Sequence, residues 1–272
     1  IYRKFHPSLF IRSSPVSESP MIFKIKNGLR LCRFPAIEKF AGVMAVMSTR
    51  VGGVSEGDYK GLNLGLSTED NPHHVEENRQ RFWKALDVDM NKIVRQHQVH
   101  EDQVVFLQEQ TFCADTDAMY TDQPEKFLTV VAADCVPILF YEPGQRIVAV
   151  IHAGWRGTQK QIAKKTMTSI QKTFGVSLSK AVAVLGPSIG ADHYEVNDEV
   201  ASMFDPAFVN RRDYPKPHLD LWSANAAQLD ESGVGTVVVT GACTMCQPDI
   251  YYSHRASSGR SGRMVGVIGR KN

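Results

Sequence analysis

Three short apolar runs follow one another in the middle of the chain: Leu128 to Ala132, Ile138 to Tyr141 and Arg146 to Ile151. Apolar residues in continuous runs of this length are the pattern of fully buried strands rather than of strands with one wet face. Ala181 to Leu185 and Thr236 to Thr240 read as two more strands, and Leu29 to Phe34, Gly42 to Ser48 and Met264 to Ile268 extend the set towards both ends. Between them lie helical patterns. Asn71-Pro72 opens one that runs through Val75, Asn78, Phe82 and Leu86, with Pro72 suited to a first helical turn. Gln159 to Phe174 and Leu219 to Glu231 supply two others. No internal repeat or linker divides these elements, so the sequence predicts a single domain of mixed α/β class. The segment 1–20 stands apart, being polar and rich in Ser and Pro. Apolar patterning begins only at Met21-Ile22-Phe23, so residues 1–20 read either as a leader or upstream extension, with Met21 as the expected start, or as an ordered N-terminal arm, and 21–272 as the folded unit.

Composition narrows the partners. The 31 basic and 29 acidic side chains are spread along 272 residues, with no basic block of the kind that grips nucleic acid. No apolar stretch approaches the roughly 18 to 20 residues needed to span a bilayer, and the N-terminal segment has no apolar core of a signal peptide. Cys32, Cys113, Cys135, Cys243 and Cys246 are an odd, scattered set, so a disulfide framework is not expected and a cytoplasmic setting fits. What remains is an enzyme or binding protein for a small molecule.

The chemistry concentrates in three segments: Gln98-Val99-His100, Ala133-Asp134-Cys135 and Val150-Ile151-His152-Ala153-Gly154-Trp155-Arg156-Gly157. His100, Cys135 and His152 each end or interrupt an apolar strand next to turn-forming residues. Two imidazoles and a thiolate suit zinc and leave one coordination position open; the same side chains without metal form a Cys-His nucleophilic pair. Val94 to Leu107 reads as extended chain, where a period of two puts Gln96, Gln98 and His100 on one face and His97 on the other. His6, His73, His74, His193 and His218 lack comparable neighbours and read as structural. Cys243-Thr244-Met245-Cys246 has zinc-knuckle spacing, but no second CxxC or HxxxH lies nearby to complete it.

Arginines supply the second theme. Arg50, in the Gly-rich loop Arg50 to Ser55, Arg79 on the first helix, and Arg156 at a strand-to-helix junction are placed where a planar fork would bind phosphate or carboxylate. The helix start after Gly157 adds backbone amides suited to an anion.

These segments, with Ser48-Thr49-Arg50, Leu62-Asn63-Leu64-Gly65, Glu77-Asn78-Arg79 and Gly186-Pro187-Ser188-Ile189-Gly190, resemble the YfiH (laccase-domain, polyphenol oxidase) family in a fixed order from about Ala45 to Val267. The resemblance implies a layered sandwich of β-sheets covered by helices, and zinc held by His100, Cys135 and His152. It also implies a purine nucleoside phosphorylase acting on adenosine, inosine and methylthioadenosine, with adenosine deaminase activity. Its partners would be a purine nucleoside and phosphate, bound through Arg50, Asn63, Arg79 and Arg156. Where the family often has Gly after the first ligand histidine this chain has Glu101, and His254 precedes Arg255 where a second Arg is usual.

The family name suggests copper-dependent phenol oxidation instead. Copper clusters of that kind favour imidazole-rich coordination, and this chain has nine histidines with none in an HxH pair. Zinc is therefore the expected metal, with copper a weaker alternative. Two further readings stay open: a cysteine or zinc hydrolase editing peptidoglycan precursors, and a non-catalytic zinc protein. Asp134 and the tyrosines are candidates for the acid that assists departure of the base, and oligomeric state is not readable.

Overall fold

The computed structural model describes residues 19–272, so the leader read at 1–20 lies outside the described residues up to position 18. A seven-stranded sheet takes β1 (Ile22–Lys26), β2 (Leu29–Arg33), β3 (Val43–Ser48), β4 (Ile93–Gln96), β6 (Phe112–Cys113), β8 (Phe127–Ala132) and β15 (Met264–Arg270) in the order β1-β2-β3-β15-β8-β4-β6. A six-stranded sheet takes β5 (Val104–Phe106), β7 (Ala118–Thr121), β9 (Val136–Glu142), β10 (Ile147–Ala153), β11 (Val182–Leu185) and β14 (Thr236–Val239) in the order β14-β11-β9-β10-β7-β5. A small ribbon, β12 (Val209–Asn210) with β13 (His218–Leu219), lies apart.

The continuous apolar runs are explained by burial on both sides. In β10, Val148 and Val150 face the core between the sheets, where they join Met47, Val130, Leu139 and Val184. Ile147, Ala149 and Ile151 alternate to the other face and pack under helices α4 (Ile162–Phe174) and α6 (Leu221–Glu231). On the far side of the other sheet, Phe82, Trp83 and Leu86 of α2 (Pro72–Leu86) cover Leu31, Val46 and Val265. Each fully buried aliphatic or aromatic side chain contributes roughly 1.5–3 kcal/mol by leaving water. The result is a helix, sheet, sheet, helix sandwich, as the resemblance implies. Short helices α1 (Pro35–Glu38), α3 (Trp155–Gln159) and α5 (Asp198–Ser202) fill its corners. Among the described residues no helix is long and apolar enough to cross a membrane.

The structure departs from the sequence reading in two places that bear on function. The helix expected over Gln159 to Phe174 starts later, as α4 at Ile162, because Gln161 takes a left-handed φ of +61° and separates it from the short α3 before it. The extended segment expected from Val94 to Leu107 stops at Gln96 and resumes at Val104. Alternation therefore fails between them, and His97 and His100 border the same cleft.

Helix α2 begins as its sequence suggests, with Asn71 Oδ1 accepting the His73 N–H at 3.0 Å and Pro72 in the first turn. Its buried Asn78 ties down the Gly-rich loop. The side-chain amide donates to Ser55 Oγ and to the carbonyls of Gly61 and Asn63, while Oδ1 accepts the Val54 N–H at 2.8 Å. The loop folds so tightly that a Cβ on Gly53 would lie 2.2 Å from Leu62 Cα. Asn78→Ala orphans these groups, and at about 1–3 kcal/mol for each buried unpaired group the expected loss is about 2–4 kcal/mol. Urea unfolding with an unchanged m-value checks it.

Candidate active site

Three strand ends converge at one edge of the inter-sheet core. His152, penultimate in β10, continues the face of Val148 and Val150. Cys135 lies in the turn between β8 and β9, next to Asp134 with a left-handed φ of +86°. His100 sits in the loop after β4, itself at φ +62°. Left-handed backbone at two non-glycine residues is uncommon and marks positions that the surroundings impose. The result is that ligand atoms of His100, Cys135 and His152 all lie within 4.8 Å of one another. Gly154 permits the approach, since a Cβ there would stand 3.0 Å from Cys135 Sγ and 3.5 Å from His100 Cδ2.

A residue that the sequence reading did not single out holds the cluster together. Asp117, fully buried at the start of β7, accepts from His152 Nδ1 at 2.7 Å and from the backbone amides of Val99, His100 and Glu101 at 3.1, 3.0 and 2.9 Å. One carboxylate thereby fixes the His100 loop and the orientation of the His152 ring, directing Nε2 away from itself as metal-ligating histidines require. The only sequence signal was an aspartate directly before a short apolar strand. Gln98 adds a second clamp, exchanging hydrogen bonds of 2.8 and 2.7 Å with the backbone of Val131.

The electrostatics match. Burial would raise the Cys135 thiol, but the charge of His152 and hydrogen bonds from both imidazoles outweigh it and bring the group down to about 6. Burial would lower His152, yet Cys135 and Asp117 hold it up to about 9. Asp117 stays below the usual carboxylate range because the bonds from His152 and the backbone amides outweigh its burial. Thiolate is the form that binds metal or attacks as a nucleophile. Asp117→Asn replaces an acceptor with a donor facing backbone amides and weakens the hold on His152. The expected loss of metal affinity is about 10–100-fold, measurable by competition with a chelator.

The cluster opens on a cleft of about 670 Å³. Arg79, Arg95, Arg255 and Arg263 line it, and among the described residues none of the four is paired with a carboxylate. Arg79 is buried, its Nη1 donating to the Leu64 carbonyl at 3.3 Å, and burial together with Arg95 lowers its pKa. The Gln96 amide and Trp83 Nε1, also on the wall, are buried without hydrogen-bond partners among the described residues.

Of the residues singled out for substrate, only Arg79 lies on this wall. Arg50 turns elsewhere, donating to the carbonyls of Lys60 and Pro248 and resting over the Tyr252 ring. Asn63 is a buried brace, bonded to Thr68, Asp70 and the amides of Gly65 and Arg263. Arg156 is exposed and stacks 4.2 Å over Trp155, whose ring does border the cleft. Asp134 has both oxygens engaged, by Thr244 Oγ1 and the Arg255 amide, each at 2.6 Å. Arg95 and Arg263 carried no signal as single charges in the sequence.

A cysteine–histidine centre at strand ends, facing a cleft rich in unpaired arginines, is the arrangement of an enzyme site for a small molecule. Known proteins share the whole framework. The family described as multi-copper polyphenol oxidoreductase laccase matches residues 44–271. A purine nucleoside phosphorylase of Deinococcus radiodurans is 38% identical over 246 residues, spanning 89% of this chain and 93% of that protein. The purine nucleoside phosphorylase YfiH of Escherichia coli is 34% identical over 235 residues, 84% of this chain and 93% of its own. Among solved structures, YlmD from Geobacillus stearothermophilus superposes with a TM-score of 0.85 at 32% identity, over 93% of this chain and 100% of that one. The YfiH protein of Bacillus licheniformis gives 0.84 at 30%, over 92% and 99%. The chain belongs to the YfiH, or laccase-domain, family.

Proposed function

We propose that this protein is a zinc-dependent purine nucleoside phosphorylase acting on adenosine, inosine and methylthioadenosine, with adenosine deaminase activity at the same centre. The observation that carries the proposal is the Asp117-braced cluster of His100, Cys135 and His152 at the mouth of an arginine-lined cleft. The phosphorylase names of the bacterial relatives support it. The donor set fits zinc, with two imidazoles and one thiolate whose deprotonated form is already favoured. When bound, zinc supplies Lewis acidity, the requirement that oxygen polarisation and purine deamination share.

The chain's own groups account for the rest of phosphorolysis. Arg79, with Arg95 and Arg263, holds phosphate as a charged, geometrically rigid partner. A phosphate oxygen forms the bond to ribose C1′ as the bond from C1′ to the base nitrogen breaks, and the departing base takes up a proton. Tyr194 on the cleft wall offers that base a hydrogen bond. Burial and the nearby Cys135 charge push its pKa up, so the hydroxyl stays neutral and donates without giving up its proton; the proton that the base takes up comes from solvent. Asp134 is a brace instead, because both its oxygens are committed. The unpartnered Gln96 amide offers a donor and an acceptor to the purine edge.

Copper chemistry finds less support: among the described residues the potential metal-binding groups number two, and each contains cysteine rather than a histidine array. One observation favours a second reading. Cys135, His152 and Asp117 stand in the order of a thiol hydrolase triad. Incubating the purified protein with adenosine, inosine and a phenol, with and without phosphate, separates these readings by chromatography. Release of free base only when phosphate is present is the expected result. Phosphate-independent release of free base, or oxidation of the phenol with added copper and no change in nucleoside, sinks the proposal; deamination of adenosine to inosine is expected with or without phosphate.

A further inference from the structure

The CxxC segment that the sequence left incomplete finds its third member across the fold. His193 lies on the loop after β11, far from Cys243 and Cys246 in sequence, yet ligand atoms of the three residues lie within 4.8 Å of one another. His193 read as structural in the sequence because no nearby pattern paired it with the cysteines. Two parallel strands make the meeting possible. β11 and β14 are neighbours in parallel, so the loops leaving their carboxyl ends run side by side, joined by the Ser188 to Cys243 bridge and by Thr244 N–H to Ser188 carbonyl at 3.0 Å.

We propose that His193, Cys243 and Cys246 form a second zinc site, distinct from the cluster at the cleft. Two thiolates and an imidazole are a ligand set that holds zinc with water in the fourth position. The surroundings are those of a thiolate ligand. Cys243 Sγ accepts the Gly190 N–H at 3.3 Å, a bond that stabilises sulfur carrying negative charge. Gly190 lies so close to Cys243 that a Cβ there would stand 3.4 Å from Cys243 Cβ and 3.2 Å from the Trp222 ring. Cys243 is buried while Cys246 is exposed and His193 partly so, which leaves a path for the ion.

The site braces the catalytic rim. Thr244, between the two cysteines, donates to Asp134 at 2.6 Å, and Asp134 immediately precedes Cys135. An ion joining the β11 and β14 loops therefore tightens the support under the turn that carries Cys135. Its occupancy is independent of the reaction assigned to the cleft.

The test counts metal in the full-length protein, purified under reducing conditions, equilibrated with zinc and desalted. Wild type is expected to hold two zinc ions per chain, Cys246→Ser one, Cys135→Ser one, and the double variant none. Cobalt bound to the Cys135→Ser protein should show thiolate-to-cobalt charge-transfer absorption, which Cys246→Ser added to it removes. Circular dichroism confirms that each variant is folded; the exposed position of Cys246 makes it the informative substitution. One ion in wild type that is unaffected by Cys246→Ser overturns the proposal, as does a Cys243–Cys246 disulfide that forms in place of metal uptake. An ion lost in Cys246→Ser but not in Cys135→Ser sustains this site and counts against zinc at the cleft.

Discussion

Cys135→Ser is expected to abolish metal binding at the cleft and to lower kcat/KM for inosine phosphorolysis on the order of 10³-fold. The serine hydroxyl stays protonated where the Cys135 thiol is drawn down to about 6, so the anionic ligand is lost while the volume is nearly kept. Metal catalysis supplies several kcal/mol of transition-state stabilisation, and each 1.36 kcal/mol is tenfold in rate. His152→Ala should do the same and also strand the buried Asp117 carboxylate, so it costs stability as well. Removing zinc from wild type with a chelator should reproduce the loss, and adding zinc back should restore the rate, whereas Cys135→Ser should not recover. Retained stoichiometric metal in the Cys135→Ser protein, beyond that held by the second site, would contradict the ligand assignment.

The second large effect concerns Arg79. Its guanidinium is buried, faces the cleft and has no carboxylate partner among the described residues. A charge-assisted bond to phosphate is worth about 1.5–3 kcal/mol, so Arg79→Ala should raise the KM for phosphate about 10–100-fold with zinc content unchanged. Arg79→Lys should recover only part, since a point charge does not replace the planar fork. Arg156 provides the contrast. Standing outside the cleft lining and stacked on Trp155, it acts on substrate only through that ring, and Arg156→Ala should move the phosphate KM less than Arg79→Ala. Equal effects would relocate the anion site to the α3 end of the cleft.

The sheets could be read in the sequence wherever burial is two-sided. Runs such as Leu128 to Ala132 and Ile138 to Tyr141 carry no charged residue because both faces pack. Helix α2 could be read from its cap and its proline. The histidines and the cysteine of the cleft stood out because each interrupts such a run. What escaped depends on contacts between distant segments. Asp117 is a lone carboxylate whose role appears only when the His100 loop and β10 close around it. His193 meets Cys243 and Cys246 only because β11 and β14 lie side by side. The break at Gln161 and the early end of β4 hang on single backbone torsions and loop contacts that no periodicity encodes. Arg95 and Arg263 resemble isolated surface charges until the fold brings both to the cleft wall.

The most direct test follows phosphorus-31 resonances while zinc-loaded protein acts on inosine in phosphate buffer. The account predicts that inorganic phosphate is consumed as ribose 1-phosphate appears in equal amount with free hypoxanthine, and that neither change occurs with Cys135→Ser. Inosine left intact under these conditions, or hypoxanthine released without any ribose 1-phosphate, would contradict phosphorolysis at this centre.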